Sequence, residues 1–191
     1  MLNRFIFISF CFLLFCVAVY AQTPTATPDP VRMKSDPEYR QQWDDYEKKL
    51  AEVIAKNEEN ERKYIETKKL LDEGVIAFKQ KDNKLALVKF NKALLVDDYW
   101  VQHVPLLTNK VLTLLQLGVE SYNNGIKTNK KSLTAAHAYF KEAVDCVEEI
   151  AIHLEQNKGS KEPPIQKLIS DYLYQNFRNR AESYRLYSLT D

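Results

Sequence analysis

The segments ALVKFNKAL (86–94) and AHAYFKEAV (136–144) each set a phenylalanine between two alanines at intervals of four and three. Ala86, Phe90 and Ala93 therefore share one helical face, and so do Ala136, Phe140 and Ala143. A small–large–small face lets a neighbouring helix come close at the alanines while the ring fills the gap between them, the alternation of volume that ridges-into-grooves packing requires. Upstream of each copy a glycine interrupts a helical pattern: Gly74 precedes Ala86 by 12 residues and Gly118 precedes Ala136 by 18. The chain has only 4 glycines. Inside a helix a glycine costs about 1 kcal/mol relative to alanine, so two in matching places demand a packing reason. Close approach of a paired second helix supplies it.

The rest of the chain agrees with a fold built of helices. SDPE (35–38) reads as a helix start, with Ser35 or Asp36 as the cap, Pro37 in the first turn and Glu38 at the positive end of the helix. From there to about Lys81 no proline follows and Gly74 is the single glycine, which suits one helix or two stacked end to end. Further helices are expected at about 84–97, 105–123, 132–156 and 164–188. Pro105 and Pro163-Pro164 mark helix starts and Gly159 follows a helix end. No stretch alternates as a strand would. The expected class is all-α.

The first residues, MLNRFIFISFCFLLFCVAVYAQ, combine Arg4, an apolar run from Phe5 to Val19 and a small residue at Ala21. They read as a secretory signal over 1–21, and the run falls short of the ~20 residues that span a bilayer. An uncleaved signal anchor is the alternative. Residues 22–34 read as a Pro/Thr-rich disordered linker. Loss of Arg4 with the signal removes one of 27 basic residues and balances the 26 acidic ones. A neutral mature chain is not drawn to nucleic acid or an anionic membrane as a whole, and the signal makes the expected location periplasmic or secreted. Cys11 and Cys16 leave with the signal and Cys146 stays alone, which excludes an internal disulfide in the mature chain.

The repeated unit resembles a tetratricopeptide repeat, a pair of antiparallel helices about 34 residues long. Leu70, Gly74, Ala86, Phe90 and Ala93 fall on the family's signature places over 67–100. Leu114, Leu117, Gly118, Ala136, Phe140 and Ala143 do so over 105–150, where NNGIKTNKK lengthens the turn by six residues. Glu73 stands where the family carries an apolar residue, and Asp98 where it carries a proline. The resemblance implies helix pairs stacked as a short superhelix that binds a protein or peptide in a concave groove lined by first helices. Here that groove would carry Leu71, Val75, Phe78, Lys79, Leu115, Gln116, Val119, Tyr122 and Asn123, flanked by Lys68, Asp72 and Leu112. The Lys/Asn carboxylate clamp of chaperone-binding members is missing. An open groove of this composition would be an interaction site; one filled by the chain's own end helices would make a self-contained bundle.

A repeat stack needs a cap, and 164–188 supplies a helix with Ile165, Leu168, Ile169, Tyr172, Phe177, Ala181 and Tyr184 near one stripe. In the long first helix (35–66), Tyr39, Trp43, Tyr46, Leu50, Val53, Asn57, Asn60 and Tyr64 alternate by four and three, continued by Thr67 and Leu71. That is a coiled-coil seam, weakened by its two successive asparagines. Self-association along it, as a homodimer, stands as the alternative to a helix lying on its own repeats.

No catalytic constellation is read from the sequence. His137 and His153 lie sixteen residues apart on one expected helix, too far to share an ion. No carboxylate or cysteine is read at ligand spacing beside them, so neither a metal nor a cofactor is expected. Cys146, one turn from Ala143, reads as a buried small hydrophobe rather than a nucleophile.

Overall fold

The computed structural model describes residues 28–96, 100–128 and 130–190. They form helices α1 (Pro30–Ser35), α2 (Pro37–Lys79), α3 (Asn83–Val96), α4 (Trp100–Thr128), α5 (Lys130–Asn157) and α6 (Pro163–Tyr187), and no strand occurs among them. The protein is all-α. The expected signal at 1–21, residues 22–27 of the expected linker, Asp98, and Asn129 of the expected long turn lie outside the described residues. Among the described helices none is long and apolar enough to cross a membrane. The chain divides into two compact units, one ending at Asn57 and one beginning at Glu58.

In the first unit, α1 occupies part of the stretch read from sequence as linker. Asp29 Oδ1 accepts from the backbone N–H of Val31 at 2.9 Å, and Pro30 takes a place where no N–H is needed. Arg40 Nε donates to the Met33 carbonyl at 2.8 Å, and the Arg32 guanidinium lies 4.3 Å over the Tyr39 ring. The start of α2 follows the sequence: Asp36 accepts from the Tyr39 N–H at 3.0 Å ahead of Pro37, and this bond holds its carboxyl below the usual range. Tyr39, Trp43 and Tyr46 meet edge to face at 6.4 and 5.4 Å and are half-buried with Leu50. Every residue from Ala51 to Asn57 is exposed, Val53 of the expected seam included.

The second unit opens with the rest of α2, whose first buried residue is Thr67. The helix ends in a Schellman turn: Asp82 N–H donates to Ala77 O at 2.9 Å and Lys81 N–H to Phe78 O at 3.0 Å. Lys81 adopts φ 64°, the left-handed conformation that this turn requires and glycine usually supplies. Asp82 then caps α3 by accepting from Leu85 N–H at 3.0 Å.

Two hairpins share one lock. A methyl built on Gly74 would stand 2.8 Å from Phe90 Cδ1 and 2.9 Å from its Cζ; one on Gly118 would stand 2.6 Å from Phe140 Cδ1 and 2.9 Å from its Cζ. Phe90 is 0% exposed and Phe140 1%. The flanking alanines 86, 93, 136 and 143 are fully buried, as the small–large–small face requires. The Glu73–Lys89 ion pair, at 2.7 Å, lies beside the first lock, and Lys110–Glu142, also at 2.7 Å, bridges the second hairpin. The first hairpin carries an apolar cluster of Ala77, Ala86, Phe90 and Ala93 completed by Leu106 of α4; the larger second cluster runs along α4 and α5 from Val104 to Leu154. Asn83 Nδ2, donating to Glu120 Oε1 at 2.8 Å, ties the start of α3 to α4.

Three expectations are corrected. Pro105 does not begin a helix: α4 starts at Trp100 and runs through it. An internal proline costs about 3 kcal/mol, whereas burying each of Val104, Leu106 and Leu107 gains about 1.5–3 kcal/mol, so burial wins. NNGIKTNKK does not loop out as a long turn, because most of it lengthens α4 and α5. A third glycine permits this, since a methyl on Gly125 would meet Leu133 Cγ at 2.7 Å.

The third correction concerns α6, which packs on α5 and, less extensively, on α4. Ile169 and Tyr172 face the core as expected, but Phe177, Ala181 and Tyr184 are exposed. Asn176, Asn179 and Ser183 are buried in their stead, ahead of buried Leu186. The rotation is fixed toward the C-terminal end of the helix. Arg180 Nε pairs with Glu148 Oε1 at 2.6 Å, and Tyr187 and Thr190 close on His137, at 4.9 Å between rings and 3.3 Å from Oγ1 to Nδ1.

Candidate functional site

The residues expected to line a groove fall on two neighbouring apolar clusters. Leu71, Val75 and Phe78 of α2 are half-buried at the edge of the first cluster, and Lys79 is exposed at the helix end. On α4, Val119 and Tyr122 are half-buried at the edge of the second cluster, while Gln116 and Asn123 are exposed. Leu115 is 9% exposed and belongs to the second core itself. Lys68 and Asp72 are exposed, and Leu112 is half-buried. Gln116 Nε2 donates to Glu120 Oε1 at 3.3 Å, the carboxylate that also receives Asn83. The set is thus made of apolar side chains at the edges of two clusters, with polar ones among them.

A second apolar surface was not legible from the stripe read on α6. Leu173, Tyr174, Phe177 and Tyr184 stand outward, Phe177 at 61% exposure. With Ile152 and Leu154 of α5 and Ile169 of α6, Leu173 and Phe177 line an open cavity of about 450 Å³. The signal that could have found it is the 3-4-3-4-3 spacing of Ile169, Tyr172, Asn176, Asn179, Ser183 and Leu186, a heptad-like seam whose middle is polar. The atoms Asn176 Oδ1, Asn179 Nδ2 and Ser183 Oγ have no partner there among the described residues.

Cys146 is buried beside Lys110 and Glu142, and burial pushes its thiol up to about 11. A thiol so held is a poor nucleophile, in keeping with its reading as a small hydrophobe. His137 lies against the Tyr187 ring at a tilt of 41°. The other two histidines meet across the second hairpin: the rings of His103 on α4 and His153 on α5 are 6.1 Å apart between centroids. Glu149, four residues before His153, brings Oε1 to 3.8 Å from His153 Nε2. The reading that no carboxylate lies at ligand spacing is therefore corrected: GluXxxXxxXxxHis was present in the sequence, and only the approach of His103 required the fold.

Compared with protein-family models, with curated proteins and with solved structures, the chain shows no match.

Proposed function

We propose that this chain is an exported, non-catalytic helical-repeat module of tetratricopeptide type. It takes a protein or peptide partner on the apolar margin formed by Leu71, Val75, Phe78, Val119 and Tyr122, with Lys79, Gln116 and Asn123 at its polar edges and Leu115 as its floor. The observation that carries this reading is the recurrence of the Gly–Phe lock in two consecutive hairpins at nearly the same distances. A repeated unit with one rigid joint presents its first helices in series, and half-buried apolar side chains on those helices are the surface that such a scaffold offers to an extended partner.

Affinity capture from an envelope extract or culture medium, with Val75→Asp plus Val119→Asp as control, tests the proposal. Both valines are half-buried, so a binding face loses its partner while the chain keeps its melting temperature to within a few degrees. A face already filled by the chain's own helices would instead lose several kcal/mol to buried charge.

A second reading, self-association as a structural helical subunit, is favoured by the outward Val53 and Ile54 of α2 and by the aromatic ridge of α6. Sedimentation across a concentration series separates the two. A constant monomer mass removes self-association, and a mass that rises with concentration supports it.

A further inference from the structure

The second hairpin closes its open end with the three side chains whose chemistry the binding face does not use. His103 stands in the first turn of α4, while Glu149 and His153 lie one turn apart near the end of α5. Residues four apart on a helix project from the same face, and here that face is turned to α4. One ligand atom from each of the three residues lies within 4.8 Å of the other two. His103 and His153 are half-buried and Glu149 is exposed at the rim. The rings cross at 73°, so neither blocks the other's nitrogen by stacking face to face.

We propose that His103, Glu149 and His153 bind one zinc ion that clasps the start of α4 to the end of α5. Two imidazoles and a carboxylate are a three-ligand set suited to Zn²⁺, with water completing a tetrahedron. Ligand bonds of about 2.0–2.2 Å place neighbouring ligand atoms about 3.4 Å apart, so side-chain rotation alone draws the observed triangle in. The Glu149 carboxylate, already 3.8 Å from His153 Nε2, offsets part of the dication's charge. Neutral imidazole and carboxylate oxygen favour Zn²⁺ over Ca²⁺ and Mg²⁺, which seek all-oxygen shells of six or more ligands. Bridging two helices makes the ion a structural clasp: whatever binds the folded hairpin and not the open chain raises its stability. This inference does not depend on the partner-binding reading.

Calorimetric titration of the purified chain with Zn²⁺, followed by thermal melts, tests it. One ion per chain with a micromolar or lower Kd is expected, and a rise in Tm of about 5–10 °C at a hundredfold excess over Kd. Co²⁺ in place of Zn²⁺ should give the strong visible absorption of a tetrahedral site. His103→Ala and His153→Ala should each weaken binding more than about 100-fold, beyond the loss typical of an outer-shell partner, and His137→Ala should leave it unchanged. Glu149→Gln, at an exposed position, provides a second variant whose fold is not at risk and should weaken binding at least tenfold. Zinc affinity unaltered by His103→Ala would overturn the proposal, because the ion would not then bridge the helices. So would the absence of zinc binding below about 100 μM by the unaltered chain.

Discussion

Replacing Gly118 by alanine tests the hairpin lock at its tightest point. The added methyl would sit 2.6 Å from Phe140 Cδ1 and 2.9 Å from Cζ, against the ~3.5–4.0 Å of an unstrained carbon–carbon contact. Phe140 is 1% exposed, so its ring is enclosed by neighbouring side chains rather than by solvent. Overpacking of this kind costs about 1–3 kcal/mol, and so severe an overlap belongs at the upper end. Alanine's better helix propensity offsets about 1 kcal/mol, leaving a net loss of about 2 kcal/mol. Phe140→Leu alone should cost about 1–2 kcal/mol as a large-to-small change, but it empties the space the methyl needs. In that background Gly118→Ala should become neutral or stabilising by up to about 1 kcal/mol, a coupling of about 2–3 kcal/mol between the two sites. Urea unfolding followed by far-UV circular dichroism, compared at constant m, measures all four corners of the cycle. Gly159→Ala is the internal control, since nothing lies within 4 Å of its added methyl and its φ is not positive. It should be neutral or slightly stabilising. A stabilising Gly118→Ala, or strict additivity with Phe140→Leu, would refute the reasoning.

Lys81→Gly should stabilise the chain by about 1 kcal/mol, because φ 64° costs a lysine side chain what glycine does not incur; an unchanged urea midpoint would contradict it. Ser183→Ala should also stabilise, by about 1–2 kcal/mol, since Oγ is fully buried without a partner among the described residues and alanine is the better helix former. A loss of stability there would mean that the hydroxyl is bonded after all. For Cys146 the sign follows from burial, which disfavours the thiolate in the folded state. Its contribution is therefore complete below pH 9 and is lost as pH rises toward 11, by up to about 2 kcal/mol. Urea midpoints of the unaltered chain should fall more steeply over that range than those of Cys146→Ala, and parallel curves would dismiss the effect.

The hairpins were legible because their determinants are local in sequence and extreme in volume. Gly74 and Gly118 have no side chain, Phe90 and Phe140 are among the largest, and their spacing leaves one arrangement in which both are accommodated. The start of α2 was legible for a similar reason, since Asp36 offers a carboxylate that reaches the N–H three residues on; Asp82 does the same for α3, though it was not read as a cap. Pro105 misled because a proline reads as a boundary, while the burial that overrides it depends on partners on other helices. The face of α6 misled because that helix carries two stripes, one aromatic and one partly polar. Periodicity favours the aromatic stripe, but the contacts of Arg180, Tyr187 and Thr190 turn the polar one inward. The proposed binding residues were named one by one from the resemblance, yet sequence could not show that Leu115 sinks into the core while Val119 and Tyr122 stay at its edge. The His103 approach was beyond reach, since 46 residues of helix and turn separate it from Glu149.

The pairing of glycine with phenylalanine can be observed in solution without any substitution. In a nuclear Overhauser spectrum of the labelled chain, the Hα protons of Gly74 and Gly118 should show strong cross-peaks to the ring protons of Phe90 and Phe140, respectively. Gly125 should instead report the Leu133 methyl groups, and Gly159 should report no side chain distant in sequence. Glycine Hα protons at 74 and 118 without contact to those rings would contradict the hairpin architecture and, with it, the binding margin proposed on the first helices.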